Sequence, residues 1–294
     1  MSIRTGNEIM NYANVTTPNR RLRRTILSIK NKGGVGGSHL TIATATLLRM
    51  SADGAFTTVL VDLDGSTGTT ISKMGERNFD GTIREEQSLE HGVPAIDLFD
   101  PDQRGRLLPL TQIEDRFLIL DGPAASLNTF RALTENLDAG DFAQANADAG
   151  RDLVVMIPIT PHLASIAAVP DAIAMFGDRA SYVVVRSMLG YKPNDYVLWE
   201  SAAFCDKFGQ VVSGRSKAML AERGGVVLDM PTLTPKVLAR AEALKVPFAE
   251  ALTSPLLALD EQLSVRKWLN AWAGQLDLIR DVLGIDADFA WTVA

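Results

Sequence analysis

Between Ile26 and Leu47 the sequence passes from a short apolar run, Ile26-Leu27-Ser28-Ile29-Lys30, through Asn31-Lys32-Gly33-Gly34-Val35-Gly36-Gly37-Ser38, into a segment with Leu40, Ala43 and Leu47 on one helical face. Strand, glycine loop and helix in that order are what a phosphate cradle requires. Glycines let successive backbone N–H groups turn inward around an anion without Cβ clashes, and the helix N-terminus adds the positive end of its dipole. Ser38 would then offer its hydroxyl to Mg²⁺. The competing reading of the same residues is an ordinary strand-to-helix turn with Ser38 as its N-cap.

The rest of the chain sets this loop in an α/β frame. Short β-rich runs near 26–30, 57–62, 95–99, 117–121, 152–158, 181–186 and 225–229 alternate with helical patterns at 38–50, 126–137, 162–176, 197–204, 214–223, 235–243 and 256–283. Such alternation implies a mostly parallel sheet with crossover helices. Val59-Leu60-Val61, Phe117-Leu118-Ile119-Leu120 and Tyr182-Val183-Val184-Val185 are continuous apolar runs, as strands buried on both faces require. A doubly wound α/β fold follows. No Pro- or Gly-rich linker divides the chain, so the expectation is a basic arm over 1–24 and a single domain over 25–294. Segments 75–94 and 100–116 read as surface excursions from that domain.

Two further runs end in carboxylates. The second strand closes on Val61-Asp62-Leu63-Asp64-Gly65-Ser66, and the fourth on Leu120-Asp121-Gly122-Pro123. In a parallel sheet the ligand crevice lies outside the carboxyl ends of the strands, where all three aspartates fall. Alternation places Asp62 and Asp64 on one side of an extended segment, so that one sits near a metal while the other reaches a water. Asp121 ends a Walker B-like strand and would hold Mg²⁺ through water. An ordinary turn after a strand is the competing reading at each position.

Together these motifs resemble the ParA/MinD family of P-loop ATPases, whose deviant Walker A motif reads K-G-G-x-G-K-[ST]. Lys32-Gly33-Gly34-Val35-Gly36 and Ser38 match, while Gly37 stands where the family carries the P-loop lysine. The resemblance implies that Lys32 reaches across a nucleotide-sandwich dimer, that Asp64 orients the attacking water and that Asp62 is its metal-side neighbour. Asp121-Gly122-Pro123-Ala124 matches the family's second switch, and Gly65-Ser66 replaces the P-Q pair of its first. The implied cofactors are ATP or ADP with Mg²⁺, bound by residues 32–38, His39 and, at the adenine, the loop from Pro231. Arg186-Ser187 occupies the place where family members often carry a base-reading Asn. Without the lysine at position 37, hydrolysis is expected to be impaired, and Gly37→Lys to tighten nucleotide binding about tenfold. The implied biology is a nucleotide-switched homodimer in plasmid or chromosome partition, conjugative transfer or cargo positioning. A non-hydrolysing anion- or nucleotide-binding scaffold is the alternative.

Charge and composition narrow the partners. Net charge is -6 over 294 residues, yet the first 24 carry five arginines against Glu8, so any attraction to nucleic acid has to be local. The arm Arg20 to Arg24 and the segment with Lys207, Arg215, Lys217 and Arg223 are the candidates for non-specific DNA contact. An unidentified protein cargo is the other expected partner. The single cysteine, Cys205, is expected to be a buried structural thiol, and His39, His91 and His162 show no metal-ligand spacing. No apolar run approaches the ~20 residues of a membrane span, and the N-terminus lacks a signal-peptide core, so the expected location is cytoplasmic. The C-terminal stretch carries Trp268, Leu269, Trp272 and Leu276 at helical spacing with acidic Asp277, Asp281, Asp286 and Asp288 beyond. That pattern suits packing on the sheet better than a basic membrane anchor.

Overall fold

The computed structural model describes residues 23–51, 57–65, 68–201, 203–286 and 289–293. Eight strands are described: β1 (Arg23–Ser28), β2 (Thr58–Asp62), β3 (Phe117–Asp121), β4 (Arg151–Ile159), β5 (Ala180–Ser187), β6 (Phe204–Cys205), β7 (Val211–Ser213) and β8 (Val226–Met230). Six of them form one sheet in the order β2-β3-β1-β4-β5-β8, and every pairing in it is parallel. Helices of six or more residues are α1 (Gly37–Met50), α2 (Thr69–Met74), α3 (Ala139–Asp148), α4 (Ala168–Phe176), α5 (Ser216–Glu222), α6 (Pro235–Ala243) and α7 (Leu259–Leu276).

Burial follows the strand period. On β4, Val154 and Met156 face α1 and α7, while Val155 and Ile157 face α3 and α4. With both faces covered, alternate side chains of each strand enter different cores, which is why the strands read as unbroken apolar runs. Helix α1 is buried from Leu40 through Leu48 because it lies between the sheet and α7, whose Trp272 Nε1 donates to Thr44 Oγ1 at 3.0 Å. The C-terminal stretch therefore packs on the sheet layer, and α7 buries Trp268, Leu269, Trp272 and Leu276.

The elements depart from expectation in several places, and the helix expected over 126–137 stops at Phe130. Residues 95–99 are not a strand: they make only isolated bridges, Asp62 to Ala95 and Asp64 to Asp97. Strand β1 runs from Arg23 to Ser28, so it starts before the apolar run and ends short of Ile29 and Lys30. Beyond a short helical turn at Val197–Glu200, the chain forms a small antiparallel hairpin, β6-β7, on which Cys205 is exposed rather than buried. Strands this short do not shield a thiol.

Topology fixes where a ligand would sit. From β1 the chain crosses outward to β2, returns to β3, and then passes to β4 on the other side of β1. The winding direction reverses around β1, and the crevice at such a switch point opens above its carboxyl end. The glycine loop leaves β1 there.

Candidate nucleotide site

The loop of residues 31–36 turns the chain from β1 into α1 through left-handed backbone at Gly34 (φ +75) and Gly36 (φ +87). At Gly36 a side chain would be strained by that φ, and a Cβ would also stand 3.3 Å from Ser187 Oγ. Gly36 is the N-cap of α1 and has no side chain with which to cap it, and no acidic residue lies in the first turn. The first-turn N–H groups thus remain available to an anion lying in the loop. Asn31 anchors the approach by donating from Nδ2 to Asp171 Oδ2 at 3.2 Å. Lys32 is exposed on the loop.

Beneath the loop the strand ends bring carboxylates together. Ser28, Asp62 and Asp121 stand side by side as register partners on β1, β2 and β3. Asp121 is 3% exposed and accepts two hydrogen bonds, from Lys30 Nζ at 3.2 Å and from Thr70 Oγ1 at 2.6 Å. Asp62 is fully buried and accepts from the backbone N–H of Ile71 at 2.9 Å and of Asp64 at 3.0 Å. It thereby serves as a remote cap for the first turn of α2. Burial, opposed by those two N–H groups and reinforced by the Asp121 charge, raises Asp62 to about 6. Asp64 lies beyond the end of β2 and is exposed, so strand alternation no longer governs its direction. Partial burial raises its carboxyl and the Lys30 charge opposes the rise. Ser66 lies outside the described residues.

Lys30 is a charged residue of the site that local sequence pattern does not reveal. The apolar run puts it inside a strand, but β1 has already ended, and its side chain lies back under the loop, with the residue 6% exposed. Its backbone is clamped by Ser126, whose Oγ accepts from Lys30 N at 3.2 Å and donates to Lys30 O at 3.4 Å. The place that Gly37 leaves open is filled by this lysine: a Cβ on Gly37 would come 2.6 Å from Lys30 Nζ and 2.8 Å from its Cδ.

On the far side of the loop a small cleft is lined by Gly36, His39, Ser187, Pro231, Leu233 and Trp268, so two more of the sequence candidates, His39 and Pro231, come to the loop. His39 is lowered to about 4, first by burial and then by the ammonium of Lys73, which lies 3.4 Å from its Nε2. A neutral imidazole accepting at Nε2 is the consistent form. Pro231 is held by its carbonyl, which accepts from Trp268 Nε1 at 2.9 Å. Arg186 does not enter the cleft wall: it forms a bidentate pair with Asp229, at 2.7 and 3.0 Å, and a contact with Glu200 at 3.1 Å. Ser187 alone represents that pair beside the loop.

The described residues suit a magnesium-bound polyphosphate. Glycines at 33, 34, 36 and 37 leave room for an anion at an uncapped helix start, and Ser38, Asp62 and Asp121 offer the hard oxygen donors that Mg²⁺ takes. No helix among the described residues is long and apolar enough to cross a membrane.

The two basic candidates fare differently. Arg4, Arg20 and Arg21 lie outside the described residues. Arg23 and Arg24 belong to β1: Arg23 donates to Ile113 O at 3.1 Å, and Arg24 pairs with Asp152 at 2.6 Å and donates to Val282 O at 2.8 Å. In the second segment Lys217 pairs with Glu200 and Arg223 with Asp178, carboxylates distant in sequence. Lys207 stands 4.9 Å from the centre of the Phe208 ring.

Neither a protein-family model nor a curated protein matches the sequence. Among solved structures, the chain is similar to a complex of a Cyanothece McdA variant with ATP, with TM-score 0.46 and 12% identity over 92% of this chain and 99% of that one. It is also similar to the septum site-determining protein MinD of Pyrococcus horikoshii in complex with Mg-ADP, with TM-score 0.44 and 13% identity over 88% and 98% of the two chains. A third similar structure is a nucleotide-binding protein of Archaeoglobus fulgidus in complex with ADP, with TM-score 0.42 and 16% identity over 77% and 88%.

Proposed function

We propose that this chain is a ParA/MinD-type P-loop protein that binds ATP or ADP with Mg²⁺ in the loop between β1 and α1. The observation that carries the reading is the convergence of a glycine loop, an uncapped helix start and two buried carboxylates at the switch point of a parallel sheet. In this reading backbone N–H groups of residues 33–39 hold the phosphates, Ser38, Asp62 and Asp121 lie on the metal side, and the cleft of His39, Ser187 and Pro231 receives the base. Bound Mg²⁺ would neutralise phosphate charge. In this reading Asp64, exposed beside the buried pair, orients the attacking water. Lys32, exposed on the loop, is the group that would reach a second copy, so the nucleotide-bound form is a homodimer whose assembly is switched by the nucleotide.

The biological setting that fits such a switch is plasmid or chromosome partition, conjugative transfer or the positioning of a protein cargo in the cytoplasm. Non-specific DNA contact in the second basic segment falls to Lys207 and Arg215, because Lys217 and Arg223 are paired.

A non-hydrolysing binding protein is the second reading, and one observation favours it. Both oxygens of Asp121 are engaged by Lys30 and Thr70, and Asp62 caps α2, so the carboxylates already have partners. Titration calorimetry with Mg·ATP, coupled to light scattering, tests the proposal. The expected result is saturable binding that EDTA weakens, with the mass doubling in ATP and remaining that of one chain in ADP. No binding of either nucleotide would remove the proposed function and leave only an anion-binding scaffold, and binding without a change in mass would leave only the second reading.

A further inference from the structure

Gly37 leaves the P-loop without the cation that its first helical turn would normally project toward the phosphates, yet the space is not empty. Lys30 approaches from the end of β1, seven residues upstream, and its ammonium lies where a side chain at position 37 would begin, 2.6 Å from the ideal Cβ. Both ends of Lys30 are fixed. Ser126 Oγ holds its backbone on the donor and the acceptor side, and Asp121 holds its Nζ at 3.2 Å. With the lysine 6% and Asp121 3% exposed, this is a buried cation retained under an anion cradle.

Among the described residues this buried ammonium pairs with one carboxylate, itself already accepting from Thr70, and it keeps donor capacity for a further acceptor, since it carries three N–H groups. We propose that Lys30 is the phosphate-binding cation of this site, supplying from the strand the charge-assisted contact that Gly37 cannot supply from the helix. The inference rests on the nucleotide reading above and adds to it a ligand-binding residue outside the glycine motif. It also removes the premise that Gly37→Lys would fill a vacant position: a lysine there would begin inside the volume that Lys30 Nζ and Cδ occupy, and would bring two ammonium groups together.

The test is a cycle of four full-length proteins, wild type, Lys30→Ala, Gly37→Lys and the double variant, each titrated with Mg·ATP and with Mg·tripolyphosphate. Lys30→Ala is expected to lose about tenfold or more in affinity for both ligands, because one charge-assisted phosphate contact corresponds to at least a decade. Gly37→Lys alone is expected to gain no affinity, because its side chain would begin in the volume of Lys30. The double variant, with that volume cleared, is expected to return to within about threefold of wild type, the cation having moved from strand to helix. Wild-type affinity in Lys30→Ala would overturn the inference while leaving the nucleotide reading in place. So would a loss that the double variant does not repair, which would mark Lys30 as a support for Asp121. Gly37→Lys is informative even if Lys30→Ala does not fold, since a tenfold gain in that protein would show the position to be vacant. Failure of all four to bind either ligand would overturn the nucleotide reading and the inference with it.

Discussion

At the scale of single residues, burial sets the charge state of two groups beside the loop. Asp62 and His39 respond in opposite directions to the same cause. Burial lifts the Asp62 carboxyl from 3.8 to about 6, and burial with Lys73 lowers the His39 imidazole from 6.5 to about 4. Between those values the unfolded chain takes up a proton at His39 that the folded chain refuses, so acidification there favours unfolding. At Asp62 the folded chain takes up the proton first, so acidification favours folding. The two effects oppose each other between about pH 6 and pH 4. Replacing the imidazole by His39→Gln should therefore leave the Asp62 effect exposed. The melting temperature of the nucleotide-free variant should fall less than that of wild type between pH 6.5 and pH 4.5. Parallel pH profiles would show that His39 is not buried as a neutral imidazole.

At the scale of elements, what was legible in the sequence is what local pattern controls. The five long strands that carry continuous apolar runs and helix α1 were readable, because burial on both faces and a 3.6-residue period leave direct marks. The glycine loop and Asp121 were readable for the same reason, as each follows immediately on such a run. Residues 95–99 misled because Ala95, Ile96 and Leu98 are apolar through packing beside β2 and not through ladder pairing. Lys30 was not legible because its role depends on β1 stopping at Ser28 and on the loop returning over it, which is a fact of tertiary path. The pairing of Lys217 with Glu200 and of Arg223 with Asp178 was hidden in the same way. Helix α7 is the element that holds α1 from behind, through Trp272, which is fully buried and bonded to Thr44. Trp272→Ala should cost about 3–5 kcal/mol in urea unfolding. Leu278→Ala, at a residue 65% exposed, should cost less than about 0.5 kcal/mol. Similar costs for the two would contradict the placement of α7 against α1.

At the scale of the whole molecule, one sheet order explains why distant segments meet. Residues 30–39, 62–65, 68–70, 121–126, 187 and 231 come together only because β3 and β4 flank β1 and the chain reverses its winding there. A ligand in that crevice touches the ends of several strands at once, so its binding should order the site without altering the β6-β7 hairpin, which lies outside that sheet. Amide hydrogen exchange of the full chain, with and without saturating Mg·ADP, tests this most directly. The account predicts slowed exchange in the peptides covering residues 31–40 and 119–126, with unchanged exchange in the β6-β7 hairpin. Unchanged exchange across residues 31–40, or protection confined to other surfaces, would contradict a nucleotide site at the β1–α1 loop.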